Sequence, residues 1–506
     1  MDLLHAIEDA ANKTYTENGA VTLETTGDCC LDLFATVGAL RHVSEEEICL
    51  RFQRAWAEDR DLAMKILFFA RDVRGGLGER RAFRVITRWL ADYAHTSVAK
   101  NISNIPEYGR YDDLLSLLAT SCEADALRFI AVQWEKDMKA LESGEPVSLL
   151  GKWLPSVNAT KADTIAKGKK VAKYLKLRPV EYRKALTALR KRIHILENDL
   201  RIKEYNFDYA KLPSKAMYKY RAAFLRNDEA RYHEFLNKVE KGEAQMHTDS
   251  LTPYDIVASV LDNSSRWKPD VKAANAKERK ALDVTWKALP DYTCGENALV
   301  VVDGSGSMCG YGNPMPAAVA LSLGIYFAER NRGQFQNHFI TFSEHPRLVK
   351  IKGNDIVDKV MYCESYNECA NTNIEAVFRL ILTAAKIHQV PQEEMPSRIY
   401  IVSDMEFDSC AENASLTNFQ NMEQMYRKAG YKLPEVVFWN VASRHQQQPV
   451  TKNQQGVALV SGCTPRLFEM LAGGNLSPYA CMMDILNRGR YKDIVASKVR
   501  RQTGSK

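Results

Sequence analysis

Ala298-Leu-Val-Val-Val-Asp303-Gly-Ser305-Gly-Ser307-Met308 is an apolar run cut off by a carboxylate and followed by a turn rich in hydroxyls and glycine. A short apolar run bounded by turn residues predicts a strand buried on both faces. The turn sets Asp303, Ser305 and Ser307 at alternate positions. These side chains are hard oxygen donors, the kind Mg²⁺ takes while retaining several waters. Gly304 and Gly306 let the backbone bend there without a Cβ penalty.

Two later stretches extend the set. Asn371-Thr372-Asn373 opens an apolar-periodic segment (Ile374, Val377, Phe378, Ile381) and adds a third hydroxyl. Ser397-Arg-Ile-Tyr-Ile-Val-Ser403-Asp404 is a second buried-strand pattern that ends in a carboxylate. From the residues alone, Asp303 and Asp404 could also cap turns at strand ends. In this order the motifs resemble those of a von Willebrand factor A (vWA) domain, whose metal-ion-dependent adhesion site (MIDAS) uses Asp-x-Ser-x-Ser, a distant Thr and a distant Asp. The resemblance implies a divalent cation, Mg²⁺ or another, at Asp303, Ser305, Ser307, Thr372 and Asp404. It implies that the two aspartates act mainly through metal-bound water and that the hydroxyls ligate.

Around these motifs strands and helices alternate. Strands are expected at 297–302, 337–342, 346–351, 398–402, 435–441 and 456–460, and helices at 314–330, 372–388, 416–429 and 478–488. Such alternation predicts an α/β doubly wound sheet with its site at the carboxyl ends of the strands. The polar link 442–455, with its Gln run, reads as a loop where a vWA fold has a crossover helix.

The 506 residues leave room for two or more full cores. A composition of 45% hydrophobic and 26% charged residues is that of a soluble globular protein. No run of about 18 apolar residues predicts a membrane span, and the first residues do not resemble a secretory leader. The 11 cysteines are scattered without a CxxC pair. That pattern predicts reduced thiols and a cytoplasmic protein. Charge is unevenly spread: residues 151–240 hold 22 Lys and Arg against 10 Asp and Glu, in a chain whose net charge is +6. A basic block of this kind suits a polyanion partner or a solvated lysine-rich helical face.

The chain ahead of the sheet divides into an N-terminal arm (1–24) and an α-helical repeat region (25–290), which contains the basic block. The vWA-like domain is expected at 291–492 and a basic tail at 493–506. Helical periodicity with short breaks, but no fixed repeat, predicts an irregular, HEAT-like α-solenoid. Arg71-Asp-Val-Arg-Gly75-Gly-Leu-Gly78-Glu-Arg80 lacks the P-loop pattern and reads as a tight helix–helix turn rather than a phosphate loop. Tyr108-Gly-Arg-Tyr-Asp112-Asp113-Leu-Leu reads as a helix start, with acids at the positive end of the dipole. Within the basic block, Lys152, Lys169, Lys170, Arg183, Lys184, Arg190, Lys191, Arg192, Lys215, Lys219 and Arg221 are the candidate phosphate contacts, and Tyr218 is a candidate for stacking on a base. Tyr220 and Phe224, at i and i+4, are assigned to the core. Trp286 is a candidate to dock onto the domain that follows.

A helical, partly basic region followed by a vWA domain resembles the Ro autoantigen family, in which a TROVE module forms a ring of helical repeats closed by a vWA domain. Arg71–Arg80, Tyr108–Leu115, Lys-Trp-Leu-Pro-Ser at 152–156 and Leu-Pro-Ser-Lys-Ala-Met at 212–217 look more like a sister family of the same layout, over about residues 25–490. The resemblance implies a non-catalytic protein that holds small noncoding or single-stranded RNA. The alternative is an adaptor whose metal site captures an acidic residue of a protein partner. Catalysis by the two carboxylates is the weakest reading, because no general base is evident; His338 and His345 read as structural.

Overall fold

The computed structural model describes residues 3–262, 270–271, 274–309, 314–368, 372–409, 416–473 and 476–497. Asn371 and the tail from 498 onward lie outside the described residues. The chain forms two compact units: residues 1–58 with 209–488, and residues 59–208 with 489–506.

The first unit opens with an antiparallel hairpin of β1 (Lys13–Tyr15) and β2 (Val21–Leu23). Its main sheet contains β3 (Ala298–Asp303), β4 (His338–Phe342), β5 (Leu348–Lys350), β6 (Arg398–Ser403), β7 (Glu435–Asn440) and β8 (Val457–Ser461). Their order across the sheet is β8-β7-β6-β3-β4-β5. Only the β4–β5 pair is antiparallel; the other pairs are parallel. Val301 in β3 lies in register between Ile340 and Ile401. β3, β6 and β8 are buried along their whole length, as their near-continuous apolar runs require. The chain reverses direction across the sheet between β3 and β6, so both strands deliver their carboxyl ends to the same crevice.

Helices cover both faces. Asn373 accepts a hydrogen bond from the Ala376 N–H and caps the helix Ile374–His388. That helix lays Ile374, Val377, Phe378, Leu382 and Ala385 on the sheet core. Burying each of the larger side chains contributes about 1.5–3 kcal/mol. The helix Pro316–Arg330 approaches β3 so closely that a Cβ on Gly324 would lie 2.3 Å from Val302. Trp286 is 2% exposed, and its indole N–H donates to Glu329 at 2.6 Å. It therefore docks on this layer as expected.

The N-terminal residues depart from the expected arm. Residues 1–58 pack with the sheet, and Ala20 and Ala35 belong to its core. The loop 442–455 has no crossover helix, and the N-terminal segment pairs with it. Leu23 and Gln448 exchange backbone hydrogen bonds at 3.0 and 2.8 Å, and the buried Arg51 donates to the Ser443 hydroxyl at 2.8 Å. The helix Cys29–Thr36 and the 3₁₀ turn Val37–Ala39 after it pack along β8, with the Phe34 carbonyl and the Gly38 N–H both bonded to the Ser461 hydroxyl. An element from the start of the chain thus covers an edge that the loop leaves open.

The second unit explains two sequence motifs as structure. Asp113 is fully buried and binds Arg71 at 2.8 Å and Arg84 at 2.6 Å. The segment around it, Tyr111–Leu117, is a 3₁₀ helix rather than an α-helix start. Asp72, also fully buried, receives Arg490 at 2.7 Å and the Tyr491 hydroxyl at 3.0 Å. In the glycine turn, the N–H groups of Gly76 and Gly78 both donate to the Asp72 carbonyl, and that of Leu77 to Phe69. Those three donors are therefore spent on the turn itself.

Candidate metal centre and basic cleft

β3 ends on Asp303, and Asp404 follows the last residue of β6. Asp303 is fully buried; one carboxylate oxygen accepts the Ser305 N–H at 2.9 Å and the other accepts the Ser403 hydroxyl. The Ser305 and Ser307 hydroxyls stand 3.0 Å apart. Asp404 is 2% exposed, accepts the Glu406 N–H at 3.2 Å and pairs with Arg444 at 2.8 Å. Thr372 is 1% exposed and donates to the Glu406 carbonyl at 2.9 Å. The Asn373 cap sets Thr372 just ahead of the helix Ile374–His388. Asp303, Ser305 and Ser307 are therefore gathered beside Asp404, and Thr372 reaches the group through Glu406, two residues past Asp404.

Burial pushes the Asp303 carboxyl above its ordinary range, and the neighbouring Asp404 pushes it further. Burial likewise raises Asp404, against the pull of Arg444. Two carboxylates in a low-dielectric pocket repel, and a bound cation relieves that cost. Asn367 points its carboxamide at this turn. Its oxygen is buried without a hydrogen-bond partner among the described residues, and a Cβ on Gly304 would lie 1.9 Å from it. Buried carboxylates, hydroxyls and an unpaired amide oxygen make an all-oxygen donor set that fits a hard divalent cation. Ser403, Asn367, Glu406 and Arg444 were not singled out in the sequence. Their only signal there is that Ser403 and Glu406 flank Asp404.

The basic candidates fall into both units, so they form no single surface by adjacency in sequence. In the second unit a cleft of about 710 Å³ is lined by Ser156, Asn158, Arg183, Lys184, Arg190 and Arg201, with Thr187, Val157 and Leu186. Among the described residues no carboxylate lines it. Arg183, Lys184 and Arg201 are exposed and make no ion pair among the described residues. Arg201 and the polar lining from 156–158 were missed because they lie on separate elements.

Several other candidates are already engaged. Arg190 donates to the Gly151 carbonyl at 2.9 Å, the Leu154 carbonyl at 2.8 Å and the Ser156 hydroxyl at 2.9 Å, so it is the strut of the Lys152–Ser156 segment. Arg192 holds the carbonyls of Gly144 and Glu145. Lys170 pairs with Glu123 at 2.7 Å. Lys169 and Lys191 are exposed, and Lys152 lies over the Trp153 ring.

In the first unit, Lys215 pairs with Asp255 and Arg221 with Glu278. The Tyr218 hydroxyl donates to the Asp255 carbonyl at 2.7 Å, and Arg221 covers its ring at 4.3 Å. Tyr218 is therefore committed to the helix packing, which corrects its expected role as a stacking platform. Phe224 is fully buried as expected, but Tyr220 is only half-buried, under Lys219.

Among the described residues no helix is long and apolar enough to cross a membrane. The family described as a domain of unknown function, DUF7788, matches residues 297–481, which contain every residue of the candidate metal centre. A protein of Acanthamoeba polyphaga mimivirus, described as uncharacterized, is 28% identical over 515 aligned residues, covering 94% of this chain and 87% of its own length. The crystal structure of the Deinococcus radiodurans RO (RSR) protein is similar over 93% of this chain and 95% of that one, at 14% identity and a TM-score of 0.37. A second family, also described as a domain of unknown function, matches residues 16–128 and 124–293, more than half of the sequence, and the chain belongs to that family, DUF2828.

Proposed function

We propose that this chain is a non-catalytic RNA-binding protein. It takes the backbone of a small noncoding or single-stranded RNA on its basic helices, while its sheet domain holds a divalent cation, Mg²⁺ in the simplest case. The observation that carries this reading is the cleft lined by Arg183, Lys184, Arg190 and Arg201 without a carboxylate. Guanidinium forks suit phosphate oxygens, and phosphate contacts fix orientation without reading sequence. The layout of helical region and vWA-like domain, which resembles the Ro family, supports the same class of partner. Asp303, Ser305, Ser307, Thr372 and Asp404 would hold the cation, which supplies positive charge at the carboxyl ends of β3 and β6.

The test is crosslinking and sequencing of the RNA held in cells by the wild type and by an R183E/K184E/R201E variant. A defined RNA enriched in the wild type and lost in the variant supports the reading. The same background RNA in both removes it, and metal-dependent cleavage of labelled RNA that is lost in Asp303→Ala would replace it with an enzyme.

The second reading is the adaptor, in which the cation takes a carboxylate. It is favoured by one observation: Glu17 already stands beside the centre, joined to Asp404 through Arg444. Capture of a protein partner that is abolished by EDTA or Asp303→Ala, with RNA binding intact, would support it.

A further inference from the structure

The turn between β1 and β2 is bonded residue by residue to the segment that follows Asp404. The Thr16 hydroxyl donates to the Phe407 carbonyl at 2.6 Å, and the Glu17 N–H to the Glu406 carboxylate at 2.8 Å. The Asn18 amide donates to the Glu406 carbonyl at 2.6 Å and to the Thr372 hydroxyl, one of the proposed cation ligands, at 2.9 Å. Gly19 bridges Asp408. Arg444 then spans the two sides, with one nitrogen 2.6 Å from Glu17 and another 2.8 Å from Asp404. His445 adds a contact to the buried Glu406 at 2.9 Å. These contacts fall on Thr372, Glu406, Phe407 and Asp408, the residues that border the candidate centre.

We propose that the β1–β2 hairpin is the centre's own occupant, a lid latched by Arg444, and that a divalent cation and this latch oppose each other. The inference rests on the cation reading of Asp303, Ser305, Ser307, Thr372 and Asp404. Its physical basis is charge. Arg444 brings one positive charge to Asp404, and a divalent cation brings two to the same carboxylate. Like charges a few ångströms apart in a partly buried site repel strongly. Each therefore weakens the hold of the other, and the effect is reciprocal because it is a coupling free energy. While the latch is closed, the Glu17 carboxylate is held by Arg444 and is not offered to the cation. An outside carboxylate gains access only when the cation has displaced the hairpin.

The experiment uses the full chain as wild type, R444Q, N18A and Asp303→Ala. Mn²⁺ binding is read by electron paramagnetic resonance, and exchange of the amides at 13–23 by hydrogen–deuterium mass spectrometry, in EDTA and in Mn²⁺. R444Q is expected to bind Mn²⁺ roughly tenfold more tightly. Mn²⁺ should speed hairpin exchange in the wild type and leave it unchanged in Asp303→Ala. N18A, which keeps every charge, should loosen the hairpin in EDTA and tighten Mn²⁺ binding by a smaller factor. Mn²⁺ that binds the wild type with equal or weaker affinity for R444Q, or without any change at 13–23, overturns the latch and leaves the cation reading standing. Failure of both wild type and R444Q to take Mn²⁺ overturns the cation reading, and the latch with it.

Discussion

The backbone N–H of Gly38 donates to the Ser461 hydroxyl at 2.9 Å, and a Cβ added to Gly38 would lie 2.4 Å from the Ser461 carbonyl oxygen. The start of the chain is therefore seated against β8 at backbone distance. Forcing an atom into such a contact costs typically about 1–3 kcal/mol. Gly38→Ala should lower the unfolding free energy of the first unit by that amount, read as a lower urea midpoint at an unchanged slope. An unchanged midpoint would mean that the N-terminal segment is not held on the sheet as described.

Asp113 gives a second prediction, for the other unit. Its carboxylate is fully buried between Arg71 and Arg84. Removing one partner of a buried ion pair strands the other charge, at a cost of about 3–5 kcal/mol. Asp113→Ala and Arg71→Met should each make residues 59–208 sensitive to proteolysis. Mn²⁺ binding at the centre in the first unit should be unaffected. Resistance equal to the wild type in both variants would remove this hub as a stabilising feature.

RNA binding should depend steeply on salt. Six to ten phosphate contacts lose about 10³–10⁵ in affinity between 50 and 200 mM salt. R183E/K184E/R201E should lower both the affinity and the salt slope while its thermal unfolding stays that of the wild type. Arg190→Gln is expected to behave differently. It frees the carbonyls of Gly151 and Leu154, and each bond lost there costs roughly 0.5–3 kcal/mol. A flat salt response in the wild type would refute phosphate recognition.

Thiol reactivity offers a test of burial. Burial pushes the Cys122 and Cys363 thiols up to about 12, so at neutral pH almost none of either is thiolate, the reactive form. Cys294 is the exposed thiol among the nine described cysteines. Maleimide labelling of the native chain followed by peptide mapping should find Cys294 modified first among these nine, with Cys122 and Cys363 untouched until denaturation. Early labelling of Cys122 would contradict its packing.

Part of the site could be read directly from sequence. A strand buried on both faces needs a continuous apolar run, and the polar residue that ends it marks the sheet edge. For that reason Asp303 and Asp404 were placed at strand ends, and the Asp303-x-Ser305-x-Ser307 turn defined itself locally. Asn373 signalled the helix start that fixes Thr372. Other features left no local trace. Arg190 looks like any basic helical residue until the carbonyls of Gly151 and Leu154 are seen around it. Tyr218 reads as an exposed aromatic until Arg221 is found over its ring. The strands of the N-terminal hairpin are three residues each, too short for alternation to register.

The sequence by itself determined the strands of the main sheet, the carboxylates and hydroxyls at their ends, and the segregation of positive charge into 151–240. These follow from side-chain periodicity and turn chemistry, which act over a few residues. Only the tertiary structure decided that the first 58 residues complete the sheet domain, that the basic block is divided between two units, and that Glu17, Asn18 and Arg444 meet at Asp404 and Thr372. Those meetings join residues from 40 to more than 400 positions apart, and their partners are chosen by packing and charge in three dimensions, for which local pattern carries no code.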